Sequence, residues 1–433
     1  SRNRHVQRTW QGNDIDPVRL DYAYDDAGNR TATSRFANLA GTAPVGATAT
    51  AYDDLQRRVG IEHSDGTGIP LVSYTYTYDA AGQLLSADHH GNTTDYAYDD
   101  NGQLTAAVHA NRADENFDYD DAGNRIGGGS LIGAGNRILA DDSYDYDYDA
   151  EGNIVSKTES DTGAVTTYAY DHLNRIVEVE VRDGGGAVLT QANYDYDGLG
   201  RRIRKTVDGT ATTTVYSEDN PWADVDGTGT VAARYLYCNR VDSILARQRP
   251  PEGTMWHLTD RLGTVHDLAD ATGTVANTTT YSSFGDVLGQ TAPALADRFL
   301  FTGRAFDTES GLYFYRARFY DPFTGRFVSE DPLRFDGGDV NLYRYVKNNP
   351  AAGTDPYGET ALIEFLSLAC TVLSTVSFGQ TVEGTVVPVF EGVSDGLAGL
   401  PVDADKIVKD LKDGLKNLVI GPIIPCGAPA PLP

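Results

Sequence analysis

Polar and apolar positions alternate in short runs through the first half of the chain. Tyrosine occupies every second position in Tyr74-Thr-Tyr76-Thr-Tyr78 and again in Tyr144-Asp-Tyr146-Asp-Tyr148. Successive side chains of an extended chain point to opposite faces, so the rings fall on one face and the small or acidic residues on the other. A helical period does not fit these runs. The pattern therefore predicts β-strands.

One short phrase follows these strands and recurs along the chain. Tyr24–Arg30 and Tyr119–Arg125 both read YDDAGNR. Variants begin at Tyr52, Tyr78, Tyr98, Tyr148, Tyr170 and Tyr196, and the spacing between successive phrases is 20 to 29 residues. A period of this length is typical of one stacked supersecondary unit per repeat. We expect each repeat to be a β-hairpin, with its tyrosines in register with those of neighbouring strands.

Glycine stands at the fifth position of most of these phrases. A positive φ at that position would close a tight hairpin turn, and glycine adopts it without strain. The sequence thus predicts that residues 1–350 are overwhelmingly antiparallel β. The expected turn glycines are Gly28, Gly82, Gly102, Gly123, Gly152 and Gly200.

Composition and net charge limit the classes of protein and partner that fit this chain. The chain has 46 glycines and 26 tyrosines but one methionine, which favours an extended β-structure over a conventional globular enzyme. Lys and Arg number 35 against 62 Asp and Glu, and the net charge is −27. Such a charge repels a phosphate backbone, so nucleic acid is not expected as a partner. It suits a secreted surface or a lumen that solvates its contents.

No cofactor and no metal site is expected. The cysteines Cys238, Cys370 and Cys426 have no CxxC spacing, and the histidines are scattered. Cys370 and Cys426 could pair as a disulfide or stay free, and the sequence does not decide between these alternatives.

Residues 311–358 form the most specific block of the chain, GLYFYRARFYDPFTGRFVSEDPLRFDGGDVNLYRYVKNNPAAGTDPYG. With the repeats before it, this block resembles the core that ends the repeat region of Rhs proteins, the bacterial YD-repeat family, which is related to the shell components of Tc toxins and to the YD shell of teneurins. The resemblance implies an all-β fold. Its YD-repeat hairpins would form a continuous antiparallel sheet that spirals into a hollow shell or barrel.

Four regions follow from the repeats and the resemblance. Residues 1–215 are the repeat array, and 216–300 are divergent strands in which His257-Leu-Thr-Asp260-Arg-Leu-Gly263 resembles a family phrase. Residues 301–358 are the core block, implied to plug one end of the shell. Residues 359–433 are a variable C-terminal segment of different composition.

The resemblance implies chemistry in the core block. Asp331 and Asp355 would form an aspartyl-protease-like pair, supported by Arg318, that cuts the chain near Gly358 and Glu359. Two adjacent carboxylates cannot both ionise cheaply, so one stays protonated while the other activates water. The alternative is structural, because Asp-Pro is a good turn former and Arg318 can simply pair with an acid.

This chain departs from the family at the cut site. Members usually carry an apolar residue after Asp-Pro-x-Gly, where this sequence has Glu359. A further carboxylate beside an acid pair adds like-charge repulsion. We expect cleavage to be slowed, shifted or lost as a result.

The C-terminal segment is apolar and is predicted to be partly helical. Residues 361–378, ALIEFLSLACTVLSTVSF, approach the length of a membrane span, but no Lys or Arg lies near either end. A protein-buried helix is therefore favoured over a membrane contact. A second helix is expected from Asp403, with Ile407, Leu411, Leu415 and Leu418 on one face.

Two functions remain open from sequence. The first is a secreted or surface-displayed shell protein that encloses its own C-terminal segment, with or without self-cleavage, for delivery or intercellular competition. The second is a structural extracellular filament or coat in which the segment docks into a neighbouring subunit. Ser1 lies inside what reads as a repeat strand, so we expect a fragment or processed product whose shell is completed by an N-terminal part or a partner chain.

Overall fold

The computed structural model describes residues 6–12, 15–238 and 240–359, and the backbone of three short strands beyond them. The chain divides into two compact units. One spans Val6–Leu362, and the other comprises Ser1–His5 and Ile363–Pro433. The first unit contains the repeats and the core block.

The first sheet has ten strands, each hydrogen-bonded to the strand before it and after it in sequence. All of its pairs are antiparallel, as expected for consecutive hairpins. The strands are β1 Gln7–Gly12, β2 Ile15–Tyr24, β3 Arg30–Phe36, β4 Pro44–Tyr52, β5 Arg58–Asp65, β6 Pro70–Tyr78, β7 Leu84–His89, β8 Asn92–Tyr98, β9 Leu104–His109 and β10 Glu115–Asn116. A separate hairpin follows, β11 Asp118–Tyr119 and β12 Arg125–Ile126.

The second sheet has sixteen strands in sequence order. They are β13 Leu131–Ile132, β14 Ile138–Ala140, β15 Tyr144–Tyr148, β16 Ile154–Glu159, β17 Val165–Tyr170, β18 Ile176–Arg182, β19 Val188–Tyr196, β20 Arg202–Val207, β21 Thr210–Ser217, β22 Asn220–Asp226, β23 Val231–Tyr237, β24 Ile244–Arg249, β25 Gly253–Thr259, β26 Val265–Ala269, β27 Val275–Tyr281 and β28 Val287–Gln290. The prediction of an antiparallel β-fold is confirmed.

The core block forms a small sheet of its own, with four strands in sequence order. These are β29 Ala305–Asp307, β30 Leu312–Tyr315, β31 Arg318–Asp321 and β32 Arg326–Phe327. The remaining strands are β33 Gly353–Thr354, β34 Leu362–Ile363, β35 Phe378–Val382 and β36 Thr385–Pro388. Short 3₁₀ helices cover Ala134–Asn136, Pro293–Leu295, Phe301–Gly303, Arg334–Gly337 and Val346–Asn348.

The predictions for the C-terminal segment fall largely outside the described residues. Of the helix predicted over 361–378, only the two ends are described, and there Leu362–Ile363 and Phe378 belong to strands. The helix predicted from Asp403 and the pairing of Cys370 with Cys426 lie wholly outside. Within the part of the chain that the structure describes, no helix is long and apolar enough to cross a membrane.

An aspartate carboxylate closes each repeat turn. Asp25 Oδ1 accepts hydrogen bonds from the N–H groups of Gly28 and Asn29 at 2.7 and 2.8 Å. Asp197 caps its turn similarly, through the N–H groups of Leu199 and Arg201. The six predicted turn glycines all have positive φ, between 74° and 104°. This confirms the predicted turn chemistry.

The repeat tyrosines make a contact that the alternating pattern did not predict. Most of them stand at a β-bulge, as Tyr98 does opposite Leu104, and most of their hydroxyls reach back to the preceding repeat. Tyr98 donates to the carbonyl of Leu84 at 2.9 Å, and Tyr196 donates to that of Ile176 at 2.6 Å. Leu84 and Ile176 are the residues that pair with the tyrosine of the earlier repeat. Consecutive repeats are thereby joined by side chain as well as by backbone.

The core block packs onto the repeat turns. Three turn carbonyls accept hydrogen bonds from its side chains: Gly102 from Asn349, Gly123 from Asn348, and Gly152 from Tyr343. Behind this surface lies a cluster of fully buried aromatic rings, formed by Tyr313, Tyr315, Tyr320, Phe327 and Tyr345. Aromatic burial of this extent fixes the core block against the array.

We predict that the tyrosine hydroxyl bond contributes to stability. Tyr98→Phe leaves the Leu84 carbonyl without its partner and should lower the free energy of unfolding by about 1 kcal/mol, measured by urea denaturation. Tyr74→Phe is the matched control, because the buried Tyr74 hydroxyl has no hydrogen-bond partner. It should be neutral or stabilising. A control as destabilising as Tyr98→Phe would contradict the assignment.

Candidate functional site

The three residues predicted to carry chemistry come from separate parts of the core block. Arg318 begins β31, directly after the tight turn that joins it to β30. Asp331 follows β32, and Asp355 follows β33. The structure brings the three side chains together, and all are buried.

Arg318 stands at the centre of the cluster. Its Nη2 lies 3.0 Å from Asp331 Oδ2 and 3.4 Å from Asp355 Oδ2. Its Nε donates to the Gly358 carbonyl at 2.5 Å, and its Nη1 donates to the Leu342 carbonyl at 3.0 Å. One guanidinium thus holds both carboxylates and the peptide that follows the Asp-Pro-Tyr-Gly sequence. Such charge-assisted bonds are stronger than neutral ones.

Both aspartates also close turns in the manner of the repeats. Asp355 Oδ1 accepts from the N–H groups of Gly358 and Glu359 at 2.9 and 3.1 Å. Asp331 Oδ1 accepts from the N–H of Leu333 at 2.8 Å. In each case Oδ1 serves the turn and Oδ2 faces Arg318. Each aspartate can therefore close a turn with one oxygen and take part in chemistry with the other.

The Gly358–Glu359 peptide bond is contacted on both sides. Its carbonyl oxygen accepts from Arg318 Nε, and its N–H donates to Asp355 Oδ1. Gly358 has a φ of +69°, and a Cβ there would lie 2.4 Å from the Tyr315 carbonyl oxygen. Only glycine fits this position, since the backbone passes so close to β30.

Asp331 lies in an environment that favours its protonated form. Burial raises the pKa of Asp331, and the negative charges of Asp355 and Glu359 raise it further, while Arg318 acts in the opposite direction. Burial also lowers the pKa of Arg318, an effect countered by Asp331, Asp355 and Glu359. Asp331 is thus a carboxyl that takes up a proton more readily than an ordinary aspartate.

Several residues of the site escaped the sequence reasoning. The Phe327 ring lies 3.6 Å from the guanidinium carbon of Arg318, and Gly337 approaches Asp331. Arg316 contacts the Pro356 carbonyl and Asp242. In the sequence the site was marked by the Arg-Ala-Arg run at 316–318, and that run by itself indicates no function.

The family phrase at His257 has a structural explanation. His257 Nε2 lies 2.9 Å from Asp297 Oδ2, and both side chains are buried. Asp260 Oδ1 caps its turn through the N–H groups of Leu262 and Thr264. Among the residues described, no group of three or more histidines, cysteines and carboxylates could hold a metal ion.

Comparison with known proteins finds a matching family model and similar sequences. Residues 45–351 match the family model described as Teneurin YD-shell, which is more than half of the chain. Similar curated proteins include the double-stranded DNA deaminase toxin A of Burkholderia cenocepacia (strain H111), 30% identical over 350 residues. The toxin protein Tse5 of Pseudomonas aeruginosa (strain PAO1) is 29% identical over 358 residues. These matches cover 71% and 65% of this chain but 24% and 26% of the relatives.

Solved structures show the same fold. A crystal structure of TcdB2-TccC3-Cdc42 aligns with a TM-score of 0.53 at 18% identity, over 79% of this chain and 21% of that one. A Tc holotoxin pore from Photorhabdus luminescens aligns with a TM-score of 0.53 at 16% identity, over 86% and 21% of the two chains. At these identities the likeness concerns the fold alone.

The resemblance to YD-repeat proteins is thereby confirmed, because the matched region takes in nearly all of the repeats and most of the core block. The repeat phrases on which the resemblance rests form the consecutive antiparallel hairpins and the turns closed by aspartate. This chain belongs to the teneurin YD-shell family.

Proposed function

We propose that this chain is a shell protein that cuts itself after the Asp-Pro-Tyr-Gly sequence and so frees the C-terminal segment it encloses. One observation supports the proposal above all. Arg318 contacts Asp331, Asp355 and the Gly358 carbonyl at the same time. A paired carboxyl system and a polarised peptide carbonyl are the requirements of aspartyl proteolysis.

The reaction divides one water molecule between the two products. Asp355 takes a proton from water, and the water oxygen bonds to the carbonyl carbon. Arg318 donates to the carbonyl oxygen and stabilises the negative charge that develops on it. The C–N bond then breaks, and the leaving nitrogen takes its proton from protonated Asp331. One fragment ends in a new carboxylate and the other begins with a new amine.

The cut lies between Gly358 and Leu362. The Gly358–Glu359 bond is the first candidate, because Arg318 contacts its carbonyl and Asp355 contacts its N–H. Arg318, Asp331 and Asp355 are the catalytic residues in this proposal.

Delivery of the freed segment is the biological role we propose. The relatives with which the array aligns carry the names of toxins, but this chain spans only about a quarter of their length. We infer a secreted or surface-displayed protein, consistent with its net charge of −27. Its partners are its own C-terminal segment and an N-terminal shell part or partner chain that completes the enclosure.

Cleavage itself is the first prediction. Wild-type protein should run as two fragments in a denaturing gel, and intact mass should place the start of the smaller fragment between Glu359 and Leu362. Asp331→Asn or Asp355→Asn should slow cleavage by roughly 10²- to 10⁴-fold, the usual contribution of general acid–base catalysis. A single full-length band is expected for either variant.

The control for this experiment is Asp339→Asn. Asp339 lies in the same block and pairs with Arg344 at 2.7 Å, so the substitution removes an equivalent arginine-bound carboxylate. It should leave cleavage unchanged. Wild-type protein that stays intact between acid and neutral pH would show that the carboxyl pair is structural.

The pH dependence of cleavage gives a second test. The proposed reaction needs Asp331 protonated, so the rate should fall as pH rises through its raised pKa. Glu359→Gln removes a charge that raises this pKa, so the falling limb should move to lower pH and cleavage at neutral pH should slow. In this mechanism Glu359 assists the acid, which is the opposite of the hindrance expected from sequence. The profile can be measured by gel densitometry of both proteins. A shift towards higher pH would contradict the assigned acid.

Enclosure is tested by deleting residues 359–433. If the shell encloses its own segment, the shortened protein should keep the oligomeric state of the full chain in sedimentation experiments. If the segment instead docks into a neighbouring subunit, as in a filament, assemblies of the full-length protein should dissociate on deletion. The second result would reject enclosure in favour of the structural role.

A further inference from the structure

The β30–β31 turn runs beside the segment that follows Asp355. Three successive residues of the turn donate hydrogen bonds to three successive carbonyls of the segment: Arg316 to Pro356, Ala317 to Tyr357, and Arg318 to Gly358. The Ala317 N–H lies 3.1 Å from its acceptor, and Arg318 Nε lies 2.5 Å from its own. These three bonds fix the register of the segment against the turn.

Arg316 is itself held rigidly. Its Nη2 lies 2.8 Å from Asp242 Oδ1 and its Nη1 lies 3.0 Å from Asp242 Oδ2, a bidentate pair. Nη2 also donates to the carbonyl of Asp219 at 3.1 Å. The backbone of Arg316 is left-handed, with a φ of +61°, a conformation that costs free energy for any residue other than glycine. The guanidinium therefore has one orientation.

The same arginine fixes a side chain of the segment. The guanidinium carbon of Arg316 lies 5.2 Å from the centre of the Tyr357 ring. The Tyr357 hydroxyl donates to Asp219 Oδ2 at 3.2 Å. Arg316 thus constrains both the backbone at Pro356 and the ring at Tyr357.

Arg316 can be removed without leaving a buried charge alone. Asp242 also pairs with Arg304, whose Nη1 lies 2.6 Å from Asp242 Oδ1. Loss of Arg304 or of Asp242 would disturb this buried network on both sides. Arg316 is thus the member whose role can be tested in a folded protein.

We propose that Arg316, oriented by Asp242, is a positioning residue for self-cleavage. It acts on the backbone at Pro356 and sets the register in which the Gly358 carbonyl meets Arg318. This inference rests on the self-cleaving function proposed above. It assigns to the first arginine of the Arg-Ala-Arg run a task separate from that of Arg318.

The first experiment measures the rate of cleavage. Full-length Arg316→Asn is made by cell-free synthesis, and its cleavage is followed over time after synthesis stops. Asparagine is chosen because it tolerates a left-handed backbone but cannot reach Pro356. Cleavage should slow by roughly tenfold to a hundredfold, as expected for a misplaced reacting group. The thermal unfolding midpoint should stay within a few degrees of wild type, and millimolar guanidinium ion should restore part of the rate. Arg316→Lys should be intermediate.

The matched control is Arg334→Asn. Arg334 is also an arginine of the core block with positive φ, at 51°, but its side chain is exposed. It should cleave at the wild-type rate. Arg316→Asn that also cleaves at that rate would overturn the proposal. So would a slow variant with a lowered unfolding midpoint and no response to guanidinium, since that describes a purely structural residue.

The second experiment does not depend on cleavage. In the Asp331→Asn background, hydrogen exchange is followed in the peptide that contains residues 355–359, with and without Arg316→Asn. Loss of the arginine should speed exchange at the Gly358 N–H, which bonds to Asp355. Unchanged protection would overturn the positioning role even if wild type cleaves. If wild type never cleaves, the proposed function fails, and this measurement still decides whether Arg316 holds the segment. Should Arg316→Asn not fold, Arg316→Lys in both experiments decides the matter.

Discussion

The aspartate carboxylate that closes each hairpin turn is the constraint on which the rest of this structure depends. A tight turn leaves backbone N–H groups without an acceptor on a neighbouring strand, and a hydrogen bond to a charged group contributes about 1.5–3 kcal/mol. Asp25 and Asp197 satisfy these groups within their own turns. Because the turn is satisfied locally, the chain can reverse direction at every repeat and build long sheets in strict sequence order.

The candidate site is an elaboration of the same turn. Asp355 accepts from the third and fourth residues after it, as Asp25 does, and Gly358 has the positive φ of a repeat glycine. The difference lies in the contacts of Asp355 Oδ2, which faces the buried Arg318. The same guanidinium also binds Asp331. Any chemistry at this place comes from an arginine and a second carboxyl added to an existing structural device.

Sequence reasoning reached the fold because its signals are local. Alternation at Tyr74–Tyr78 and glycine at Gly28 act within one strand or one turn, and each is visible in a few residues. The tyrosine hydroxyl bonds were missed because they join different repeats, and no spacing rule fixes which carbonyl lies within reach. The Asp331, Asp355 and Arg318 cluster was named only through family resemblance. Arg316 was missed altogether because Asp242, which orients it, lies far away in sequence.

The tyrosine hydroxyl gives the array a direction. Tyr98 bonds to a carbonyl of the repeat made before it, and Tyr196 does the same. A hairpin bonded in this way finds its side-chain acceptor in chain that is already folded, rather than in chain still to come. During synthesis the N-terminal repeats emerge first, so the array can grow one hairpin at a time behind the ribosome. Newly made edges are then exposed only for the time that one further repeat takes to appear.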